Sequence, residues 1–351
     1  MDNYGSLGPK SLLSVIKIYK NSVRNSYLKF FLDKIINFLK EIRFFVYNSY
    51  RFFTRDDCPN WQRLVPRTVY RIQEWKNKRN LPYISFEDKE IVDKIVTSGV
   101  FVGKLDTLGF ENTEKFKVLS NQLFLETEEK FNKPQTHLGG WFGMEKHTLR
   151  PPFEYILEKY PDLLRFALNP RLLSIVQHYI GKPAVLLDVD FKIDLPGGND
   201  IGSKRWHYDT MNYKILKIFI YFTDVTSDSP AFEYIPPREC MKIKENGFNE
   251  ETVYSLTKKE NIIRVEEPAG SVLFLGVDRV LHHLSIPTQN KEKNIRKAVV
   301  LHYLAKEVPN QCMYTREGAA VRWGSEKAVK MLSDFAQTLP EETRKYLYIH
   351  S

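Results

Sequence analysis

After Gly181 the period of this chain changes, and that change limits the fold more than any other feature of the sequence. Upstream, apolar residues recur at helical spacing over 85–97, 113–131, 153–168 with Pro161 interrupting, and 170–180. Ser85 and Asp88 have capping-box spacing, Gly99 stands where a left-handed helix end belongs, and Val100 to Val102 reads as a short strand. Downstream the pattern alternates, in short runs at 185–193, 215–223, 231–235, 262–266, 270–275, 280–286 and 297–305, separated by Pro, Gly, Asn and charged turns. Val185, Leu187, Val189, Phe191 and Ile193 are expected on one face of the first run, with Asp188, Asp190, Lys192 and Asp194 on the other. Many short strands behind a set of helices predict a mainly β fold with α additions, a jelly-roll barrel on an N-terminal helical support.

The 351 residues are 42% apolar and 13% aromatic, enough for a folded globule. Cys58, Cys240 and Cys312 lie far apart without Cys-x-x-Cys spacing, which argues against a zinc knuckle or a disulfide framework and favours a reducing, cytoplasmic setting. Of the net charge of +9, residues 1–55 supply seven, with ten basic side chains against three acidic ones. The rest is close to neutral, so no nucleic-acid groove is expected there. Leu28, Leu32, Ile35, Leu39, Ile42 and Val46 predict an amphipathic basic helix, either docked on the body or lying on an anionic membrane with Phe30, Phe44, Phe45 and Phe52 as anchors. Asp56 to Asn60 reads as a break, and Pro66 and Pro82 punctuate the segment between it and the first capped helix. The sequence shows neither a secretory signal nor an uncharged apolar run long enough to span a bilayer.

The chemistry-bearing stretch is Trp206-His207-Tyr208-Asp209, the only His-x-Asp in the chain. Side chains two apart on a strand share a face, so His207 and Asp209 can chelate one ion. A second imidazole would complete the two-histidine, one-carboxylate set that suits ferrous iron and leaves coordination positions open. His282 and His283 are the candidates, and only one of two adjacent strand residues can reach the metal. Val280, His282, Leu284 and Ile286 make the apolar face, which favours His282, with His283 the alternative. Arg296 heads the last strand, where a guanidinium can grip the distal carboxylate of a dicarboxylic acid, and a salt bridge to a neighbouring acid is the plainer role for it. His302 shares its parity and either lines the cavity or packs in the core.

The ordered series Trp206 to Asp209, Leu216 to Val225, Phe232 to Pro236, Gly270 to Phe274, Leu281 to Ser285 and Arg296-Lys297-Ala298 resembles the phytanoyl-CoA dioxygenase family of iron(II)- and 2-oxoglutarate-dependent oxygenases. The resemblance covers residues 85–306 and implies a double-stranded β-helix (cupin-like) core. It places His207, Asp209 and His282 (or His283) at the iron-ligand positions, Arg296 at the 2-oxoglutarate anchor, and Lys192 as a secondary cosubstrate or substrate contact. Ser229-Pro230-Ala231 and Pro236-Pro237-Arg238-Glu239 depart from the family pattern, and His282 stands further from Arg296 than in relatives.

The expected function is hydroxylation of a small organic or lipid-like substrate using Fe(II), 2-oxoglutarate and O2, with succinate and carbon dioxide as coproducts. The carboxylate of Asp209 speaks against a halogenase, which needs that position free for chloride. The alternatives are a catalytically silent metal-binding barrel and a membrane-peripheral scaffold acting through residues 10–55. The expected organisation is a basic helical extension over 1–84, the oxygenase domain over 85–306, and a helical tail over 307–351 packed on the barrel.

Overall fold

The computed structural model describes residues 70–131, 148–196, 202–209, 214–245, 250–286, 294–306 and 326–347. Backbone contacts divide the chain into 1–62 and 63–351, and all the described residues belong to the second unit. The expected N-terminal amphipathic helix, its aromatic anchors, the break at 56–60 and Pro66 lie outside the described residues, as do residues 307–325 of the tail. Among the described residues no helix is long and apolar enough to cross a membrane.

Helix α1 (Phe86–Ser98) starts where Asp88 N–H donates to Ser85 Oγ at 3.1 Å, and it buries Ile91, Val92 and Ile95. Gly99, at φ 84°, ends it by returning its N–H to Ile95 O, and the chain enters β1 (Val100–Lys104). Helix α2 (Thr113–Lys130), a short β2 (Thr148–Leu149), α3 (Phe153–Lys159), α4 (Pro161–Ala167) and α5 (Pro170–Ile180) come next. Pro161 splits the run as the sequence indicates, because proline is accommodated at a helix's first position and not inside it. The remaining strands are β3 (Ala184–Asp194), β4 (Ile215–Tyr221), β5 (Phe232–Ile235), β6 (Ile263–Val265), β7 (Ser271–Gly276), β8 (Leu281–Leu284) and β9 (Arg296–Ala305).

These strands form two antiparallel sheets, ordered β1-β7-β4-β9-β3-β2 and β6-β5-β8. A bridge between His207 and His282 adds the His-x-Asp segment to the free edge of β8. From β4 on, the chain passes between the sheets at almost every turn, which is the winding of a double-stranded β-helix. Apolar side chains of both sheets meet between them, among them Phe219, Phe232, Tyr234, Leu273, Leu275 and Val300. The outer face of the larger sheet is covered by the helices, with Phe124 and Phe191 ring centroids 5.5 Å apart. The sheet is therefore buried on both sides, which leaves the lumen between the sheets and its mouth as the place for polar chemistry.

Two details differ from the sequence reading. The register of β3 against β9 shifts between Leu186 and Asp188, a bulge that leaves Leu187 as the extra residue. Val185 and Leu187 consequently belong to the lumen cluster, while Leu186, Val189, Phe191 and Ile193 pack under the helices. A strict alternation cannot show this, since one inserted residue reverses every face after it. Secondly, two helices absent from the strand-only reading, α6 (Pro237–Glu245) and α7 (Glu250–Leu256), come after β5. They bury Cys240, Ile243 and Val253 against Trp206, Ile235 and Leu281, and so clamp the His-x-Asp strand from outside.

Candidate metal centre

The site begins with two backbone hydrogen bonds. His207 N–H donates to His282 O at 2.9 Å, and His282 N–H donates to His207 O at 3.1 Å. A residue pair that exchanges both bonds across an antiparallel ladder presents its side chains on one face, and the imidazole centroids lie 4.4 Å apart. Asp209, two residues on, turns to the same side. His207 Nε2 is 3.8 Å from Asp209 Oδ1, and His282 Nε2 is 3.6 Å from Asp209 Oδ2. One ligand atom from each residue lies within 4.8 Å of the others, and among the described residues this is the one such cluster of three.

Both imidazoles are oriented as ligands. His207 Nδ1 lies 2.6 Å from Arg205 O, and His282 Nδ1 lies 3.1 Å from Val280 O. A carbonyl oxygen only accepts, so each Nδ1 carries the proton and each Nε2 presents a lone pair towards Asp209. Outer hydrogen bonds of this kind fix the tautomer in metal-ligating histidines. The separation of 3.6–3.8 Å is too long for hydrogen bonds and leaves room for an ion bonded to all three. The donor set thus fits a divalent transition metal with open positions.

His283 points the other way. Its Nε2 lies 2.9 Å from Glu233 Oε2, its Nδ1 lies 2.9 Å from Lys204 O, and its ring stacks on Trp206 at 4.0 Å. Arg264 completes that network by donating to Glu233 Oε1 at 2.6 Å and to Ser285 Oγ at 2.7 Å. With both nitrogens engaged, His283 holds the smaller sheet together and His282 faces the centre.

Electrostatics follow from burial and neighbours. Burial alone would raise the Asp209 carboxyl, yet the Lys217 ammonium beside it holds it well below its ordinary value. Burial and the neighbouring His282 push the His207 imidazole from 6.5 down to about 4, although 30% of its side-chain surface still meets solvent at the mouth. At neutral pH the centre therefore presents a carboxylate and an uncharged His207, the forms a metal needs.

Arg296 is buried, donating through Nε at 3.0 Å and Nη2 at 2.7 Å to Asp194 Oδ2. It accordingly forms a buried ion pair tying β9 to β3. Thr148 Oγ1 donates to the other oxygen of Asp194 at 2.9 Å. The remaining nitrogen, Nη1, has no hydrogen-bond partner among the described residues, and neither has the buried Tyr221 hydroxyl. The guanidinium lies 5.6 Å from the Phe219 ring and 5.9 Å from the Tyr221 ring, both lumen side chains. Burial raises the Tyr221 hydroxyl, and the nearby guanidinium offsets part of that rise. Lys192 Nζ is 3.3 Å from Asp190 Oδ2, on the same face of β3. His302 is buried on β9 in register with Lys217 of β4.

Lys217 is the site residue that sequence reasoning missed. Its Nζ lies 2.5 Å from Asp209 Oδ2, inside the cluster. The signal was present, since it is the one charged residue in the strand Ile-Leu-Lys-Ile-Phe-Ile-Tyr and shares parity with Phe219 and Tyr221.

No family model matches the sequence, and no curated protein does. Solved structures do match. The non-heme alpha ketoglutarate dependent carbocyclase SnoK from nogalamycin biosynthesis superposes with a TM-score of 0.45 and 18% identity, over 70% of this chain and 92% of that one. EctD from S. alaskensis with bound Fe gives 0.44 and 14% over 64% and 78%. HygX from Streptomyces hygroscopicus with nickel, 2-oxoglutarate and hygromycin B bound gives 0.41 and 18% over 62% and 86%.

Proposed function

We propose that this chain is an iron(II)- and 2-oxoglutarate-dependent oxygenase that hydroxylates a small organic or lipid-like substrate, in keeping with its sequence resemblance to the phytanoyl-CoA dioxygenase family. The observation that carries the reading is the convergence of His207, Asp209 and His282, with both Nε2 lone pairs turned to one carboxylate. Iron(II) with 2-oxoglutarate and O2 supplies the oxidising power that breaks an unactivated C–H bond. The protein's part is to hold, orient and keep dry. His207, Asp209 and His282 would hold the ion from one face, leaving the opposite positions for exchangeable ligands.

The distal carboxylate of the cosubstrate belongs at Arg296. Two of its donors are taken by Asp194, and the guanidinium lies beside the buried Tyr221 hydroxyl with no further hydrogen-bond partner for Nη1 among the described residues, so a carboxylate there would engage both groups. Lys192, paired with Asp190 at 3.3 Å, lies on the same face of β3 as Asp194. Phe219 and Phe232, packed at 5.8 Å, exclude water between that end of the lumen and the triad. The Asp209 carboxylate occupies the position a halide would need, so hydroxylation is favoured over halogenation.

The reading is tested with purified protein, Fe(II), O2 and isotopically labelled 2-oxoglutarate. Labelled succinate should form in the wild type and fall to background in Asp209→Ala. Equal succinate from both would remove the proposal, and a wild type that binds metal without making succinate in the presence of candidate substrates would leave a silent metal barrel.

A further inference from the structure

The triad and the Arg296 pocket leave Lys217 unexplained. Its side chain is 16% exposed, and Nζ sits 2.5 Å from Asp209 Oδ2, the oxygen that also faces His282. An ion pair made only to stabilise the strand has no need of a carboxylate towards which two imidazole lone pairs already turn. Placed there, a fixed ammonium opposes any divalent ion bonded to the same carboxylate. The charge count shows what it gains in return. A divalent metal with Asp209 carries one net positive charge, and Lys217 raises that to two. Arg296 adds nothing to this sum, because Asp194 neutralises it at 2.7 Å. A monoanionic ligand leaves the metal, Asp209 and Lys217 together charged, whereas a dianion cancels them.

We propose that Lys217 makes metal and a dianionic keto acid bind cooperatively, by weakening the metal alone and strengthening the ternary complex. The proposal rests on the metal-centre reading given above and adds a role for a residue outside the triad. Linkage is reciprocal, so the metal must favour the dianion by the same factor as the dianion favours the metal. Lys217 acts through charge on Asp209 and on the incoming ligand, so it is a positioning residue for both.

The experiment uses the full chain and cobalt(II), which reports coordination through its visible absorption without turnover. Cobalt affinity is measured by competition with a chromophoric chelator, alone and with saturating 2-oxoglutarate or the monoanionic 2-oxobutyrate. In the wild type 2-oxoglutarate should tighten cobalt more than 2-oxobutyrate does. Lys217→Met should bind cobalt alone about tenfold more tightly and lose about tenfold of the 2-oxoglutarate effect, within the usual range of site-to-site couplings. Lys217→Arg keeps the charge and should restore both, which a merely structural role would not require. Cobalt affinity unchanged or weaker in Lys217→Met, or Lys217→Arg behaving like Lys217→Met, overturns the proposal while the triad stands. A wild type whose cobalt spectrum does not depend on His207 overturns the triad and this proposal together.

Discussion

His282 and His283 are neighbours in sequence, and the structure gives them opposite duties. His282 meets Asp209, whereas His283 is engaged at both nitrogens by Glu233 and Lys204. His282→Ala should therefore abolish the cobalt spectrum and leave the fold intact. His283→Ala should keep the spectrum and lower stability by about 1–3 kcal/mol, because Glu233 loses a partner in a half-buried setting. Spectra and denaturant unfolding of the two variants separate these outcomes, and the reverse pattern would exchange the roles. His207 adds a pH dependence to the metal-free protein. Its folded value of about 4 lies below the ordinary 6.5, so the unfolded chain binds more protons between those values. Stability should hold above pH 6.5 and decline as pH falls to about 4, and His207→Gln should flatten that segment of the curve in urea titrations.

Elements set what those residues can reach. β3 and β9 are joined at one end by the Asp194–Arg296 pair, both side chains nearly inaccessible to solvent. Burial would raise the Asp194 carboxyl, and Arg296 with Lys192 brings it below its ordinary value instead. Asp194→Ala leaves a buried guanidinium without its counter-charge and should cost about 3–5 kcal/mol, while Asp194→Leu combined with Arg296→Met should recover most of that loss. Unfolding of the single and double variants measures the coupling, and additive losses would show that the pair is not a unit. The strands themselves were legible from alternation, and the helix ends from Ser85, Pro161, Gly99 and Gly181, because caps and punctuators act locally. The bulge at Leu187 was not, since the partner strand imposes it and the sequence of β3 alone carries no mark of it. Helices α6 and α7 were missed for a related reason, as their apolar residues answer to Trp206 and Leu281 from distant segments.

At the scale of the whole molecule, the winding of the chain between two sheets brings residues 207, 209 and 282 to one point. The sequence offered His207 and Asp209 through their spacing and His282 through its apolar face. It could not show Asp194 against Arg296, because that contact joins strands far apart in the chain, and it marked Lys217 only as a lone charge in an apolar strand without showing that Asp209 meets it. Helices cover the outer face of the larger sheet and α6 with α7 clamp the smaller one, so the centre sits on a supported frame whose polar groups converge in the lumen. The proposed function requires this frame to hold one divalent iron that 2-oxoglutarate chelates. Anaerobic titration of the full chain with Fe(II) and 2-oxoglutarate tests it most directly. A visible metal-to-ligand charge-transfer band should appear, saturate at one iron per chain and be absent in Asp209→Ala. A wild-type spectrum that never changes, or a band that persists in Asp209→Ala, would contradict it.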